Sequence, residues 1–328
     1  MQNHVIGWYG KANCGDDAFK DAFHALYPGD NFHFDGGDEV VEVAPGSRVI
    51  LGGGDVVKSF YLDRIPDDQP FSVIGCGLGY TSEIDLLAGR NVERAVLRNR
   101  ADAELARNRG INAVYAPDIC FAIPQQAPRP LPDSTKPKRI GVILSGHAEP
   151  GIDQTDMRAA TYFEYFKWEL ARFLDEICQY YEIHWISFSA DIDHYDEAAH
   201  YSTRKKMGRR VNQHFWPYQP ERPLDQIAIL AGMDAVLTMK FHGAIFAMLH
   251  GVPFVSIGQT RKLTQLCDEA GLSDLCVQPY LFTYDTALAA LKNAEREGTR
   301  ERLLGIASEY RRLLVEAVAV NQDGAPPG

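Results

Sequence analysis

The sequence has no apolar stretch long enough to span a membrane, and it is short of positive charge. Its longest apolar stretch, Gly243 to Gly258, is interrupted by His250 and Pro253 and is shorter than the ~20 apolar residues of a spanning helix. Lysine and arginine total 33 against 44 aspartate and glutamate residues, so the formal net charge is −11. These shortages exclude a spanning segment and argue against nonspecific binding to nucleic acid or anionic membranes.

Cysteine pairs and the motifs of several enzyme classes are also missing. The 6 cysteines form no Cys-x-x-Cys pair and are too few for a disulfide scaffold, which favours a reducing cytoplasm. The first residues show no positive segment followed by an apolar run, so we expect no secretory signal. Walker A, GxGxxG, HExxH and GxSxG motifs are absent, and nucleotide-loop, zinc hydrolase and serine hydrolase hypotheses therefore have no support.

What the sequence does contain is an alternation of short apolar runs and helical stretches. In the first 120 residues the runs include VIGWYG from Val5, RVILGGG from Arg48 and FSVIGCGLG from Phe71. The alternation resumes at RIGVILSGH from Arg139 and continues to PFVSIG from Pro253. Strands that alternate with helices predict parallel sheets covered on both faces, so we expect an α/β fold of two Rossmann-like domains.

A proline-rich segment, PQQAPRPLPDSTKPK from Pro124, predicts the boundary between these domains. We expect an N-terminal domain over residues 1–125, a linker over 126–138, a C-terminal domain over 139–320 and a disordered tail over 321–328. Ligands of open parallel sheets bind beyond the carboxyl ends of the strands. With two such domains, those ends can face one interdomain cleft.

The loop after the first strand carries paired carboxylates, Asp16 and Asp17, close to Asn13 and Gly15. One interpretation is structural: Asn13 or Asp16 caps the following helix, and Asp17 complements the helix dipole. The other is catalytic: Asp16 or Asp17 serves as a general base for a sugar hydroxyl.

Two glycine clusters follow the next two strands and are candidates for the floor of the cleft. They comprise GGGD, which contains Gly53 and Gly54, and GCGLGY, which contains Gly77 and Gly79. Glycine lets a ligand approach the backbone closely, although tight turns without any ligand account for such clusters equally well.

The segment from Ala235 to Cys267 has three lysine or arginine residues and no acidic residue, which is unusual in a chain of net charge −11. The strand DAVLTM brings Lys240 and His242 to its carboxyl end, and a helix is predicted to start at about His242. The backbone N–H groups and positive dipole end of that helix coincide with two basic side chains, which predicts an anion site. Arg261 and Lys262 follow the next strand. A capping or core role for His242 is the alternative.

Two further charged clusters stay open to more than one interpretation. RKKMGRR, from Arg204 to Arg210, is a predicted loop that is either a solvated face or a contact for an acidic polymer, a lipid diphosphate or a membrane surface. DIDHYDE brings together four residues that suit either a divalent cation or a polar loop, namely Asp191, Asp193, His194 and Asp196. The cluster lacks the glycine of a calcium loop, and we predict no metal site.

The order of these motifs resembles the polysaccharide pyruvyl transferase family. The similar segments are ANCGDD, VILGGGDVV, VIGCGLGY, VLRNRADAELARNRG, APDICFAIP, DAVLTMKFHGAIFAMLHGVPFVSIG and the trailing RKL. The resemblance implies a GT-B-like arrangement of the two domains. It also implies transfer of the enolpyruvyl unit of phosphoenolpyruvate to a sugar as a ketal.

The resemblance places the donor on the C-terminal domain and the acceptor on the N-terminal one. The family's arginine-x-histidine motif falls on Lys240, Phe241 and His242, and its downstream lysine falls on Lys262. Lysine replaces the planar, bidentate arginine at the first of these positions. An arginine usual after the first strand of the second domain is also replaced, here by Ser145 and His147. The predicted donor-binding residues are Lys240, His242, Gly243, Arg261, Lys262, Ser145 and His147.

Ketal formation from an enol phosphate needs cations for a carboxylate and a phosphate, an acid and a base, but no redox cofactor. His242 is the predicted acid or phosphate ligand, and Asp16 or Asp17 the predicted base. The expected partners are phosphoenolpyruvate and a glycan or lipid-linked saccharide of exopolysaccharide or envelope synthesis, with at most peripheral membrane contact through Arg204–Arg210. The alternatives are a nucleotide-sugar glycosyltransferase of the same architecture and a non-catalytic anion-binding relative.

Overall fold

The computed structural model describes residues 2–36, 46–129, 138–145, 157–191, 195–210, 212–258 and 260–319. The chain divides into two compact units, Met1–Pro124 with Ala307–Gly328, and Gln125–Ile306. Among the described residues, no helix combines the length and the apolar character needed to cross a membrane.

The first unit is built on a parallel sheet whose described strands have the order β2-β1-β3-β4-β5-β6. The strands are β1 (Gln2–Ile6), β2 (Asn31–Asp35), β3 (Arg48–Gly54), β4 (Phe71–Cys76), β5 (Val92–Leu97) and β6 (Ala113–Tyr115). The helices are α1 (Cys14–Leu26), α2 (Ser59–Leu62) and α3 (Arg100–Asn108), with short 3₁₀ turns at Thr81–Leu87 and Ile119–Ala122. The apolar runs of β3 and β4 are almost fully buried, as strands covered on both faces should be.

The second unit is built in the same way, with the described strand order β12-β11-β10-β7-β8-β9, again all parallel. Its strands are β7 (Lys138–Ile143), β8 (Tyr181–Ile186), β9 (Gln213–Trp216), β10 (Ala235–Thr238), β11 (Phe254–Ile257) and β12 (Cys276–Val277). Its helices are α4 (Met157–Ile177), α5 (Asp196–Lys206), α6 (Pro223–Ala231), α7 (Phe241–His250), α8 (Arg261–Glu269) and α9 (Tyr284–Ala294). The predicted fold class of two Rossmann-like α/β domains is confirmed.

The described part of the proline-rich segment is attached to the second unit. Gln125 Nε2 donates to the Leu249 carbonyl at 2.9 Å, and the Gln126 N–H donates to His250 Nε2 at 2.8 Å. His250 Nδ1 lies 2.9 Å from the Phe246 carbonyl, so both ring nitrogens of this buried histidine have backbone partners. Of the predicted linker, residues 130–137 lie outside the described residues, and Lys138 already begins β7.

The chain returns from the second unit to the first within the carboxyl-terminal helix α10 (Thr299–Ala319), between Ile306 and Ala307. The division therefore differs from the expected second domain of residues 139–320. Tyr310 accounts for the difference: it is buried, and its ring meets that of Phe121 in the first unit with centroids 5.1 Å apart. The predicted tail, residues 321–328, lies outside the described residues.

Candidate functional site

Each sheet has one point at which successive connections leave in opposite directions. In the first unit it lies between β1 and β3, and in the second between β7 and β10. Ligands of open α/β sheets bind beyond the carboxyl ends of the strands at such switch points, where the two connecting loops diverge and leave a crevice. At the first switch point, Asn13 lies in the loop after β1 and Gly54 is the last residue of β3, and at the second, Ser145 and Lys240 lie in the loops after β7 and β10.

In the second unit, helix α7 begins one residue before the predicted position. Lys240 is its N-cap residue, and the Lys240 N–H donates to Thr238 Oγ1 at 3.0 Å. His242 is the second residue of the helix, and its ring packs against those of Phe241 and Phe246, with centroids 5.2 and 6.1 Å away. The first N–H groups of a helix have no intrahelical partners and favour a negative charge. The start of α7 therefore carries the two basic side chains, as the sequence predicted.

Gly243 has a packing role at this helix start. A Cβ atom on Gly243 would lie 2.3 Å from Thr238 Oγ1 and 3.1 Å from Ile143 Cδ1. Thr238 is fully buried and bonds the backbone of Lys240, so it cannot move away easily. Glycine thus lets the first turn of α7 lie directly on the ends of β10 and β7.

Arg261 and Lys262 are the first two residues of α8, which follows the neighbouring strand β11. Lys262 extends towards α7, with Nζ 5.7 Å from the centre of the Phe241 ring. Two helix N-termini, each with basic side chains, thus begin at the carboxyl ends of adjacent parallel strands. This edge of the second unit is suited to a ligand with more than one anionic group.

Asp196, which the sequence places in either a polar loop or a cation cluster, is a partner of Lys240. Lys240 Nζ lies 2.9 Å from Asp196 Oδ1, and the Asp196 side chain has no exposed surface. Asp196 Oδ2 accepts hydrogen bonds from the N–H groups of Phe188 and Ser189, both at 2.9 Å. Burial raises the pKa of the Asp196 carboxyl, and the Lys240 ammonium opposes that rise. Asp193 and His194 lie outside the described residues.

Ser145 follows β7 next to a second buried polar side chain. The N–H of Leu144 donates to His200 Nε2 at 3.3 Å. Burial lowers the pKa of His200 to about 3, and the positive charge of Lys240 contributes to the lowering. His200 is therefore neutral at physiological pH and holds the start of the loop that carries Ser145. His147, the other residue predicted after β7, lies outside the described residues.

In the first unit, the structure separates the roles of the two adjacent carboxylates. Asn13 caps α1, because its side chain accepts from the N–H of Gly15 at 3.2 Å, and the proposed capping role of Asp16 is wrong. Asp17 is buried, and its Oδ1 accepts from the N–H of Gly10 at 3.1 Å. Asp17 thus stabilises the loop after β1. Asp16 is more accessible and lies close to Gly54.

Several of the candidate cleft glycines accommodate side chains of the protein itself. A Cβ atom on Gly53 would lie 2.3 Å from Phe19 Cδ2, and one on Gly52 would lie 2.6 Å from Phe23 Cζ. Gly53 and Gly54 also have φ angles of 74° and 84°, which disfavour any other residue. These glycines let α1 pack tightly on β3, so the packing of the domain accounts for the cluster without a ligand.

The second glycine cluster lies beside charged side chains that the sequence analysis missed. A Cβ atom on Gly77 would lie 2.7 Å from Arg98 Nε. The buried Arg98 guanidinium forms ion pairs with Asp55 and with Asp118, whose Oδ2 lies 3.1 Å from Arg98 Nη1. Burial alone would lower the pKa of Arg98, but the two carboxylates raise it. Asp55 and Arg98 each directly follow a strand, which is the signal that could have identified them.

The other member of that cluster, Gly79, is placed differently. Its N–H donates to Glu83 Oε2 at 2.7 Å, in an exposed turn that precedes a 3₁₀ helix. The turn explains this glycine in terms of local structure.

The basic cluster from Arg204 to Arg210 begins on a helix, so the predicted loop is wrong for its first three residues, which form the last turn of α5. Lysine and arginine suit that position because they complement the negative end of the helix dipole. Lys206 Nζ lies 5.1 Å from the centre of the exposed Trp168 ring, and Asp175 accepts from the N–H groups of Gly208 and Arg209.

A group of possible metal ligands lies elsewhere in the second unit, on β8 and β9, and comprises Glu182, His184 and His214. The indole N–H of Trp216 donates to His184 Nδ1 at 3.0 Å. Since an indole only donates, Nδ1 must be the acceptor nitrogen, and Nε2 of the neutral ring carries the proton. Nε2 faces Glu182 and cannot bind a metal ion in that tautomer. The donor set does not fit a cation.

Comparison with solved structures supports the fold. The MnaA–UDP complex of S. aureus has a TM-score of 0.65 at 10% identity, with 100% of this chain and 99% of that chain covered. The UDP-GlcNAc 2-epimerase of Neisseria meningitidis bound to UDP-GlcNAc has a TM-score of 0.60 at 10% identity, with 98% and 100% covered. These likenesses, together with the two parallel sheets, define a GT-B-like fold.

Sequence comparison is more specific. Residues 8–261 match the family model described as Polysaccharide pyruvyl transferase. The chain belongs to the polysaccharide pyruvyl transferase family. No curated protein matches the sequence.

Proposed function

We propose that the protein transfers the enolpyruvyl unit of phosphoenolpyruvate to two hydroxyl groups of one sugar and forms a pyruvate ketal. The proposed acceptor is a polysaccharide or lipid-linked glycan of exopolysaccharide or cell-envelope synthesis. The observation that carries this proposal is the pair of helix N-termini at the ends of β10 and β11, with Lys240, His242, Arg261 and Lys262 on them. The family match supports the same chemistry.

Phosphoenolpyruvate carries a carboxylate and a phosphate, and it therefore matches a site with two adjacent anion-binding helix starts. Lys240 supplies a charge whose position is held by Asp196. Arg261 offers a planar fork suited to bidentate contact with a carboxylate or phosphate, whereas Lys262 acts as a point charge. Ser145 and the N–H of Gly243 lie at the same edge of the sheet and can donate further hydrogen bonds.

The reaction requires proton transfers but no change of oxidation state. One sugar hydroxyl adds to the central carbon of the donor while the methylene carbon gains a proton and becomes a methyl group. The second hydroxyl then attacks the same carbon, the C–O bond to phosphate breaks, and inorganic phosphate leaves with the remaining proton. Since the atoms balance without an electron carrier, we propose no cofactor other than phosphoenolpyruvate as co-substrate.

We assign the proton donor to His242 and the base to Asp16. His242 is an imidazole at the proposed donor site, and histidine is the side chain most often used for such transfers. Asp16 is a better candidate than Asp17, because Asp17 is buried and accepts the Gly10 N–H. We further propose a cytoplasmic enzyme, which works at the inner face of the membrane when its acceptor is lipid-linked.

The direct test is phosphate release by the purified protein from phosphoenolpyruvate and a saccharide acceptor. We expect His242→Ala to abolish release, because the proposed proton donor is lost. His24→Ala is the matched control, since His24 is an exposed histidine at the end of α1 in the first unit. Unchanged turnover in His242→Ala would refute the proposed site.

A second candidate function is glycosyl transfer from a nucleotide sugar, which is favoured by the likeness to folds solved with UDP and UDP-GlcNAc. A ligand that binds the folded state raises the melting temperature. Stabilisation by UDP or CMP sugars, but not by phosphoenolpyruvate, would favour this candidate. Stabilisation by phosphoenolpyruvate without any product would indicate a non-catalytic anion-binding relative.

A further inference from the structure

Two cysteines, Cys267 on α8 and Cys276 on β12, differ from the other thiols of the protein. All six cysteines are described, and none forms a disulfide. Residues 268–275 separate the pair, which is why no cysteine motif marks it in the sequence. Cys267 is fully buried, whereas Cys276 is partly accessible.

The two thiols are brought together by Ser256 on β11. Ser256 Oγ lies 3.2 Å from Cys267 Sγ, and Ser256 is also the register partner of Cys276 in the parallel pair β11–β12. Side chains of paired residues in adjacent strands lie on the same face of the sheet. Cys267 and Cys276 therefore occupy one small space between α8 and the sheet.

The surroundings of the Cys276 sulfur are polar. A Cβ atom on Gly258 would lie 3.0 Å from Cys276 Sγ and 2.9 Å from Thr264 Oγ1. A hydrogen bond from the Cys267 thiol lowers the pKa of Cys276 below its usual value, with further help from Ser256 and Thr264 against the opposing effect of burial. Cys276 is thus the thiol of the pair that ionises more readily, and Cys267 donates to it.

The contrast with the other buried cysteines is large. Burial raises the pKa of Cys76 to about 12 and that of Cys120 well above its usual value. Thiolates, not thiols, attack electrophiles, and reactive cysteines occupy partly exposed positions with a lowered pKa. Cys276 meets both conditions, and Cys267 lies where a resolving thiol is needed.

We propose that Cys267 and Cys276 are a modification site at which a hydroperoxide forms a reversible disulfide. The Cys276 sulfur attacks one peroxide oxygen, the O–O bond breaks, and water or an alcohol leaves, which gives a sulfenic acid at Cys276. The Cys267 sulfur then attacks the sulfenic sulfur, the S–S bond forms, the S–O bond breaks and water leaves with the Cys267 proton. One hydroperoxide is reduced for each thiol pair oxidised, and a low-molecular-weight thiol restores the reduced state.

The position of the pair suggests a consequence for donor binding, and this consequence rests on the proposed function. Helix α8 begins with Arg261 and Lys262 and carries Cys267 in its second turn. A bond from Cys267 to β12 would tie that helix to the sheet edge. Oxidation is therefore expected to weaken stabilisation by phosphoenolpyruvate, whereas the disulfide itself forms whether or not the donor proposal is right.

The test uses the full reduced chain treated with hydrogen peroxide and then alkylated and analysed by peptide mass spectrometry. We expect a peptide pair joined through Cys267 and Cys276, lighter by two hydrogen atoms and reversed by dithiothreitol. In Cys267→Ser, the sulfenic acid of Cys276 should persist and react with dimedone. In Cys276→Ser, the crosslink should be absent.

A measurement on the unmodified protein avoids any effect of substitution on folding. At pH 7 the iodoacetamide reaction of Cys276 should be about tenfold faster than that of an ordinary accessible thiol, because far more of it is ionised. Alkylation of Cys276 at an ordinary rate, or oxidation without a Cys267–Cys276 crosslink, would overturn the proposal. Loss of the crosslink would leave the donor proposal intact, since that is tested separately by phosphate release.

Discussion

Lys240 Nζ lies 2.9 Å from Asp196 Oδ1, and the other carboxylate oxygen of Asp196 accepts hydrogen bonds from two backbone N–H groups just after β8. The pair connects the first residue of α5 with the N-cap of α7. The buried carboxylate of Asp196 therefore orients Lys240 at the proposed donor site. The Lys240 side chain remains 17% exposed.

The first prediction concerns this ion pair. Removal of one partner leaves the other charge buried without compensation, so Asp196→Asn and Lys240→Met should each lower the free energy of unfolding by about 3 kcal/mol. The double variant should be less destabilised than the sum of the two, because no unpaired charge remains. Urea denaturation measures the free energy of unfolding of the two single variants and the double variant.

The exposed pair of Glu309 and Arg312 on α10 is the control. Glu309→Gln should leave the urea midpoint unchanged, because solvent screens exposed charges. Additive effects at Asp196 and Lys240 would contradict the coupling.

The second prediction concerns glycines in helices. Gly243→Ala should be destabilising by about 2 kcal/mol, since overpacking a buried position costs ~1–3 kcal/mol and the new methyl group meets Thr238. Gly305→Ala, in α10, should be stabilising by roughly 0.5–1 kcal/mol, because nothing lies within 4 Å of its added Cβ atom. Thermal unfolding of both variants checks the pair. Equal shifts would show that helix propensity, and not contact with Thr238, determines the outcome at Gly243.

The third prediction is a pH dependence caused by His200. Its pKa is about 3 when folded against a usual 6.5, so below pH 6.5 the unfolded chain binds a proton that the folded chain does not. Protonation of the unfolded chain therefore lowers the free energy of unfolding. The free energy of unfolding is at its full value above pH 6.5 and falls as the pH falls towards 3. Between pH 7 and pH 5 the loss should be about 2 kcal/mol. His200→Gln, which can still accept the Leu144 N–H, should show a loss smaller by that amount in urea denaturation. An unchanged pH profile in this variant would contradict the assignment.

The fourth prediction tests peripheral membrane contact through the basic cluster. Lys205 and Arg210 are exposed, and the Trp168 ring beside Lys206 suits the headgroup region. The double variant Lys205→Glu/Arg210→Glu should reduce cosedimentation with anionic vesicles at low salt, since each positive residue near the surface contributes ~1 kcal/mol. The control variant Lys292→Glu/Arg296→Glu changes the net charge by the same amount at two exposed residues outside the cluster, and it should keep its vesicle binding. Equal losses of vesicle binding in both variants would instead indicate that Arg204–Arg210 is a solvated face.

Much of the fold follows from local sequence pattern. The alternation of apolar runs and helical stretches predicted both parallel sheets, and the absence of acidic residues from Ala235 to Cys267 pointed to the edge that holds α7 and α8. The start of helix α7 was predicted to within one residue, because the strand DAVLTM ends shortly before it. Gly251, which follows the helix, adopts φ 64°. The C-terminal boundary of the second domain was less predictable, since it depends on the packing of Tyr310 against Phe121.

The sequence by itself determined which side chains follow each strand, because strand and helix periodicity, helix caps and turn glycines act over a few residues. Only the tertiary structure decided which of those side chains meet. Asp196 is far from Lys240 in the chain, and β7 lies between β8 and β10 in the sheet. The same holds for Gly53, whose missing side chain makes room for Phe19. Strand order and the packing of helices on a sheet arise from burial summed over the whole domain, and no local pattern records them.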